Sequence, residues 1–172
     1  MPANIEIKAR VAHPAALRAA AEALAGAPPR VIRQTDTFFQ VARGRLKVRA
    51  FADGSGELIS YDRPDDAGPK TSRYGIAACA DAAALRDALA AALDVRGVVR
   101  KKRLLLLAGR TRIHLDEVEG LGSFLELEVV LAEGDDRAAG EREAADLMAR
   151  LGVTSDDLVS GAYIDLLEGR DP

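Results

Sequence analysis

The fold is decided by two alternating stretches, Thr111-Arg-Ile-His-Leu-Asp-Glu-Val118 and Ser123-Phe-Leu-Glu-Leu-Glu-Val-Val-Leu131, which flank the turn Gly120-Leu-Gly122. Alternation of apolar and polar residues is typical of β-strands, because successive side chains point to opposite faces. In the second stretch, Glu126 and Glu128 lie on one face with no cation between them. The two stretches therefore predict an antiparallel hairpin with an acidic pair on its polar face.

The same alternation recurs along the chain and predicts further strands over residues 4–11, 31–41, 45–51, 57–63, 71–78 and 95–107. The turn Asp53-Gly-Ser-Gly56 predicts that the strands on either side of it form a hairpin. Ala- and Leu-rich segments predict helices over residues 14–25, 82–93 and 135–151, and a terminal helix over 158–167. With no repeat or break in composition, residues 1–172 are expected to form a single α+β domain.

Composition excludes several classes of protein. The 172 residues are 48% hydrophobic and 30% charged, which excludes a disordered or collagen-like chain. The net charge of −3 argues against nucleic-acid binding, and the single cysteine excludes a disulfide framework. Apolar runs such as residues 104–108 are far shorter than the roughly 18 residues of a membrane span. We expect a cytoplasmic protein with no membrane partner.

The charged faces of the predicted strands are segregated by sign. Arg45, Lys47 and Arg49 share one face of a strand, at a spacing of about 6.5–7 Å between successive side chains. Two arrangements fit this pattern. The sheet is half solvated, or it closes into an inverted barrel, with the charges inside and the amphipathic helices covering its apolar outer face. The alternation alone leaves both arrangements open.

The inverted barrel has a definite chemistry. Carboxylates such as Glu126 and Glu128 are hard oxygen ligands suited to Mg²⁺ or Mn²⁺. Arginine and lysine side chains that converge in the same cavity suit a polyphosphate. Together they indicate metal-assisted phosphoryl or nucleotidyl transfer. His114 and Tyr163 are interpreted as supporting or packing residues.

A series of short motifs along nearly the whole chain resembles, in the same order, the motifs of a known family. They are Asn4-Ile-Glu-Ile-Lys8, Gln34-Thr-Asp-Thr-Phe-Phe39, Gly44-Arg-Leu-Lys-Val-Arg49, Glu57-Leu-Ile-Ser-Tyr-Asp-Arg-Pro64, Gly68-Pro-Lys-Thr-Ser-Arg-Tyr74, Val99-Arg-Lys-Lys-Arg103, Arg112-Ile-His-Leu-Asp-Glu-Val-Glu-Gly-Leu-Gly122, Phe124-Leu-Glu-Leu-Glu128 and Gly161-Ala-Tyr-Ile-Asp-Leu-Leu167. The set resembles the CYTH proteins, also called triphosphate tunnel metalloenzymes, and most of all their class IV adenylyl-cyclase-like branch.

The resemblance implies a closed eight-stranded antiparallel β-barrel, or tunnel, with a charged interior and helices packed outside. It implies Mg²⁺ or Mn²⁺ as cofactor, with the metal ligands Glu6, Asp116, Glu126 and Glu128. The phosphate contacts it implies are Lys8, Lys47, Arg49, Arg63, Lys101, Arg103 and Arg112. Glu6 and Lys8 are the implied catalytic residues, and the partner is a small molecule with a triphosphate: ATP, tripolyphosphate or thiamine triphosphate.

One position departs from the family signature: Asn4 stands where the first glutamate is expected, which removes a carboxylate. An amide oxygen can still bind a cation, but it brings no charge. Three functions therefore stay open: a cyclase that converts ATP to cyclic AMP and pyrophosphate, a hydrolase of inorganic or thiamine triphosphate, and a nucleotide- or polyphosphate-binding protein without turnover. The sequence also leaves open whether the chain forms a homodimer.

Overall fold

The strands close into a ring. The computed structural model describes residues 3–62, 64–65 and 68–169, which contain eight strands. They are β1 (Ala3–Arg10), β2 (Arg30–Phe39), β3 (Arg45–Phe51), β4 (Gly56–Asp62), β5 (Lys70–Cys79), β6 (Val95–Ala108), β7 (Thr111–Val118) and β8 (Gly122–Leu131). All neighbouring pairs are antiparallel, in the closed order β1-β5-β4-β3-β2-β6-β7-β8. The predicted closed barrel is confirmed.

Four α-helices occur in the described part of the chain: α1 (Pro14–Leu24), α2 (Ala82–Ala90), α3 (Arg137–Arg150) and α4 (Tyr163–Glu168). Asp81 and Asp136 cap α2 and α3, because their carboxylates accept hydrogen bonds from backbone N–H groups of the first turn. Within this part of the chain, no helix combines the length and the apolar composition needed to cross a membrane.

The terminal helix is shorter than the sequence predicted, because α4 begins at Tyr163 and not at residue 158. Leu158 forms an isolated antiparallel bridge with Ala9, and the Val159 N–H donates to the carbonyl of Lys8. These contacts extend the chain alongside the end of β1. The backbone of Leu158 is therefore extended, with φ −67° and ψ 139°, and a helix cannot begin at this residue.

The apolar faces of the strands point outward and are covered by the helices. Ile5 and Ile7 on β1 are completely buried in a cluster that includes residues of α1, α3 and β6–β8. Helix α3 comes close to β1 at Gly140, where a Cβ atom would lie 3.0 Å from Ile5. Because glycine has no side chain, the helix can pack at this distance. The charged faces are left to line the interior, as the inverted arrangement requires.

Helix α4 covers one end of the barrel, the end at which β1 finishes and β6 and β8 begin. Ile164 packs over Gly97, where a Cβ atom would lie only 2.6 Å from its Cδ1. The aromatic rings of Tyr163 and Phe124 pack edge to face with centroids 5.1 Å apart. This apolar cluster closes that end of the barrel, so the cavity opens mainly at the opposite end.

Candidate functional site

The interior of the barrel is a cavity of about 680 Å³, lined by side chains of all eight strands and of α4. Its lining includes buried cations and carboxylates that alternate with the apolar residues of the outer face. The charged interior that the sequence predicted is therefore confirmed. Two groups of these charged residues each lie on three successive strands of the ring.

The first group, which we call the acidic wall, comprises Glu6, His114, Glu126 and Glu128 on β1, β7 and β8. His114 Nδ1 lies 3.3 Å from Glu126 Oε1 and 4.0 Å from Glu128 Oε1. Ligand atoms of these three residues lie within 4.8 Å of one another, close enough to hold one metal ion. Glu6 is directly opposite Glu128 in the β1–β8 register, which adds a third carboxylate beside the cluster.

Glu126 is ionised in spite of its burial. Burial raises the pKa of its carboxyl, but the hydrogen bond with His114 and the charges of Arg103 and Lys8 outweigh that effect and hold the pKa well below 4.5. The Lys8 ammonium lies 3.8 Å from Glu126 Oε2. A buried, ionised carboxylate is the form that binds a metal ion.

The second group, which we call the cationic wall, comprises Lys47, Arg49, Lys101 and Arg103 on β3 and β6, with Asp36 on β2 between them. The Asp36 carboxylate accepts hydrogen bonds from Lys47 Nζ at 2.7 Å and from Arg49 at 2.8 Å. Lys101 Nζ lies 3.7 Å from the same carboxylate. Burial raises the pKa of Asp36, but these three cations hold it well below 3.8. The single carboxylate of Asp36 thus forms ion pairs with three cations.

The cations of this wall are not fully neutralised. Burial, followed by the charge of Arg49, lowers the pKa of Lys47 below 10.5. Burial, followed by the charge of Arg103, lowers the pKa of Lys101 well below 10.5. Both lysines are buried, so each would be stabilised by further negative charge. The wall is suited to bind an anion with several negative oxygens.

Arg103 connects the two walls. Its guanidinium donates to both oxygens of Asp116 at 2.7 Å and reaches Glu126 Oε1 at 3.3 Å. The Tyr163 hydroxyl also donates to Asp116, at 2.8 Å. Both oxygens of Asp116 are therefore hydrogen-bonded, and Asp116 is not among the residues whose ligand atoms cluster at His114, Glu126 and Glu128. Its role as a metal ligand stays a prediction.

Lys8 and Arg112 lie beside the acidic wall at different depths. Lys8 Nζ donates to the carbonyl of Gly161 at 3.1 Å and lies 4.2 Å from the centre of the Tyr163 ring. Arg112 Nε donates to Glu128 at 2.7 Å. With the Asn4 amide oriented by its hydrogen bonds, its oxygen accepts from Arg112 Nη2 at 3.0 Å. Asn4, which replaces a carboxylate of the family signature, is thus buried against an arginine.

The structure brings ten of the predicted site residues into the barrel interior. Nine of them line the cavity, namely Glu6, Lys8, Lys47, Arg49, Lys101, Arg103, Arg112, Glu126 and Glu128, and Asp116 lies behind Arg103. The remaining predicted phosphate contact, Arg63, lies outside the described residues. The roles of all of them stay predictions.

Sequence reasoning assigned no role to Asp36 and gave His114 only a supporting one. Asp36 shares a strand face with Gln34, and His114 shares one with Arg112 and Asp116, and the structure places both Asp36 and His114 in the lining of the cavity. Their partners come from other strands, however, and the sequence contained no signal for those pairings.

Comparison with known proteins gives the same family as the motifs. The CYTH domain model matches residues 2–163, and the chain belongs to the CYTH domain family. This family comprises adenylyl-cyclase-like and triphosphatase enzymes and is metal-dependent. No curated protein matches the chain.

Solved structures share the fold over almost their full length. The PH1012 protein of Pyrococcus horikoshii is 25% identical, with a TM-score of 0.83, over 95% of this chain and 98% of that one. A candidate adenylate cyclase of Vibrio parahaemolyticus is 17% identical, with a TM-score of 0.79, over 96% and 97%. A candidate adenylyl cyclase of Hippeastrum, described as having a dominant triphosphatase activity, is 18% identical, with a TM-score of 0.65, over 98% and 97%.

Proposed function

We propose that the protein is a metal-dependent enzyme that cleaves a triphosphate held inside the barrel, and that its reaction is class IV-type adenylyl cyclase chemistry on ATP. The observation that carries the proposal is the presence of a cationic wall and an acidic wall in one cavity. Cations alone would suit an anion-binding protein, and carboxylates alone would suit a cation-binding protein. The two together suit a metal–triphosphate complex.

The cationic wall binds the phosphate oxygens in this proposal. Arg49 offers a planar fork of donors, and Lys47 and Lys101 offer compact charges. Their positive charge exceeds the single Asp36 carboxylate between them. A triphosphate supplies the missing negative charge among buried side chains, where ionic interactions are stronger than in bulk water. Arg63 is proposed as a further phosphate contact.

The carboxylates of Glu6, Glu126 and Glu128 are proposed to hold Mg²⁺ or Mn²⁺, with His114 beside them. The donor set fits these ions, because it is rich in carboxylate oxygens, which hard divalent cations prefer. When bound, such an ion supplies a Lewis acid that neutralises charge on the phosphates.

In the cyclase reaction the ribose 3′-hydroxyl oxygen forms a bond to the α-phosphorus of ATP. The bond from that phosphorus to the oxygen bridging to the β-phosphate breaks, and pyrophosphate leaves with the electron pair. A carboxylate of the acidic wall takes the hydroxyl proton, and Glu6 is the residue proposed for that step. Lys8 stabilises negative charge on the phosphates from the closed end of the cavity.

Hydrolysis is the second candidate, in which water attacks the terminal phosphorus of inorganic or thiamine triphosphate. It is favoured by the likeness to the Hippeastrum protein that is described as mainly a triphosphatase. Both reactions use the same walls, and the products separate them. Purified protein is incubated with Mg²⁺ or Mn²⁺ and each of ATP, thiamine triphosphate and tripolyphosphate. Cyclic AMP with pyrophosphate identifies a cyclase, and orthophosphate identifies a hydrolase.

The double variant Glu126→Gln/Glu128→Gln tests the role of the acidic wall. We expect metal-dependent turnover to fall by at least about 100-fold, because neutral amides replace two charged ligands. The variant Glu117→Gln, on the outer face of β7, is the control and should keep full activity. Melting curves of both variants check the fold. Full activity in the double variant would contradict the proposal. Tight triphosphate binding by the wild-type protein without turnover would also contradict it, and would indicate the binding protein that Asn4 suggests.

A further inference from the structure

Among the described residues, one buried polar atom in the cavity has no hydrogen-bond partner. Gln34, on β2, is only 6% exposed and lines the cavity. Its Oε1 atom has no hydrogen bond to any described residue. A buried acceptor left unpaired lowers stability, since it has lost water and gained nothing in exchange. Such an atom can accept a hydrogen bond from a ligand that binds in the cavity.

An apolar surface lies next to this amide, toward the open end of the barrel. It consists of Ile32, Phe51 and Leu105, on the three successive strands β2, β3 and β6 that carry the cationic wall. We call it the apolar shelf. Phe51 is directly opposite Gln34 in the β2–β3 register. Each shelf residue is half-buried and lines the cavity.

Inward-facing residues follow one another at every second position along β3 and β6, which fixes their order from the cationic wall to the open end. On β3, Phe51 is the next inward-facing residue beyond Arg49, and on β6, Leu105 is the next beyond Arg103. A ligand whose phosphates lie on the cations would therefore place its next group against the shelf and the Gln34 amide. Tyr163 and its apolar neighbours close the other end, so an organic group is accommodated at the open end.

We infer that the Gln34 amide and the apolar shelf form a subsite for a flat heterocyclic group that carries an N–H donor, such as the base of a nucleoside triphosphate. This inference rests on the proposed function, since it assumes that phosphates bind the cationic wall. The ring lies against Phe51 and the aliphatic side chains, and its N–H donates to Gln34 Oε1. Inorganic tripolyphosphate has no ring and no N–H donor, so it gains nothing from this subsite.

Binding of ATP and of tripolyphosphate is compared by calorimetry in EDTA, where no divalent ion is present to support turnover. Gln34→Leu removes the acceptor but keeps the volume. We expect its ATP affinity to fall roughly three- to tenfold, the range of one hydrogen bond, and its tripolyphosphate affinity to stay within about twofold. Phe51→Ala should lower ATP affinity roughly tenfold, as loss of an aromatic stacking surface does.

Matched control variants lie on the outer face of the barrel. Thr71→Val removes the hydroxyl of Thr71, whose Oγ1 atom is likewise unpaired in the described residues but does not line the cavity. Val98→Ala shortens a half-buried side chain on the outward-facing side of β6 that does not line the cavity. Both should leave the ratio of the two affinities unchanged. Because Oε1 is unpaired in the free protein, Gln34→Leu should not lower the melting temperature, whereas a structural role would make it do so.

The outcomes separate the inference from the proposed function. Selective loss of ATP affinity in Gln34→Leu and Phe51→Ala supports the subsite. Equal loss of both ligands, unchanged ATP affinity, or wild-type protein that binds tripolyphosphate but not ATP overturns the subsite and leaves a triphosphate enzyme standing. If wild-type protein binds neither ligand in EDTA, the same variants are compared by their KM values with Mg²⁺, and absence of turnover there as well makes the proposed function and the subsite fail together. Thiamine triphosphate and GTP, titrated in the same way, identify which heterocycle the subsite prefers.

Discussion

The cationic wall and the acidic wall balance their buried charges in different ways. On the cationic wall a single carboxylate, Asp36, serves cations from two neighbouring strands. On the acidic wall Glu126 and Glu128 have separate partners, among them His114 and Arg112, from other strands. The first arrangement depends on one central residue, whereas the second distributes its contacts among several.

This difference indicates which residues hold the barrel together and which are available to a ligand. Removing Asp36 would leave three cations buried together, and their mutual repulsion would act on three adjacent strands. Removing a carboxylate of the acidic wall would leave other carboxylates beside the same partners. We therefore expect the cationic wall to dominate stability and the acidic wall to dominate metal-dependent activity.

The largest expected effect on stability is that of Asp36→Asn. We expect the free energy of unfolding to fall by about 3–5 kcal/mol at pH 7, since the variant breaks buried ion pairs by removing one partner. Urea unfolding measures the change. Tripolyphosphate should recover part of the loss, because a bound anion replaces the missing charge. Asp146→Asn, in the exposed pair with Arg150, is the control and should change stability by less than about 1 kcal/mol.

The pH dependence of this effect follows from the lowered pKa of Asp36. A carboxylate whose pKa is lower in the folded state stabilises the fold above its unfolded pKa, near 3.8, and loses that contribution as the pH falls through its folded pKa. The difference between the wild-type protein and Asp36→Asn should therefore stay constant from about pH 7 to pH 5 and shrink only below about pH 4. A difference that disappears by pH 5 would show that Asp36 is not held by the cations.

An intermediate effect is expected for Lys8→Ala, at the junction of the acidic wall and the closed end. Loss of one charge-assisted contact should weaken triphosphate binding by about 1.5–3 kcal/mol, or roughly 10- to 150-fold in Kd. Calorimetry with tripolyphosphate measures it. Lys102→Ala removes a lysine that pairs with Glu117 at the surface, and its Kd should not change. An unchanged Kd in Lys8→Ala would remove Lys8 from the phosphate site.

The smallest expected effect is the uptake of a fraction of a proton by the cationic wall when a triphosphate binds. Burial and the charge of Arg103 lower the pKa of Lys101, and a bound triphosphate would raise that pKa again. Binding at pH 9 should therefore take up a fraction of a proton, and affinity should fall as the pH rises through the lowered pKa. Calorimetry in buffers of different ionisation enthalpy detects this uptake. Lys101→Met should reduce it, while Lys102→Met should not, and identical uptake in both variants would place the proton elsewhere.

Much of the barrel could be predicted from local patterns. Alternation identified all eight strands, and it put Glu126 with Glu128 and Lys47 with Arg49 on common faces. It did not decide whether Lys101 and Arg103 or Arg100 and Lys102 point into the barrel. Each pair lies on one face of β6, and both faces are cationic. The motif of the family favoured Lys101 and Arg103, and the structure buries these two and exposes the other two.

The sequence by itself determined the strands, the sign of charge on each polar face and the amphipathic helices, because these depend on neighbours one to four positions apart. Only the tertiary structure decided that Asp36 meets Lys47, Arg49 and Lys101, and that His114 joins Glu126 and Glu128. It alone also decided that Gln34 Oε1 has no hydrogen bond to any residue that the structure describes. Those contacts depend on the order and register of strands far apart in the chain. Register is fixed by packing of the whole barrel, and a local pattern of residues does not contain it.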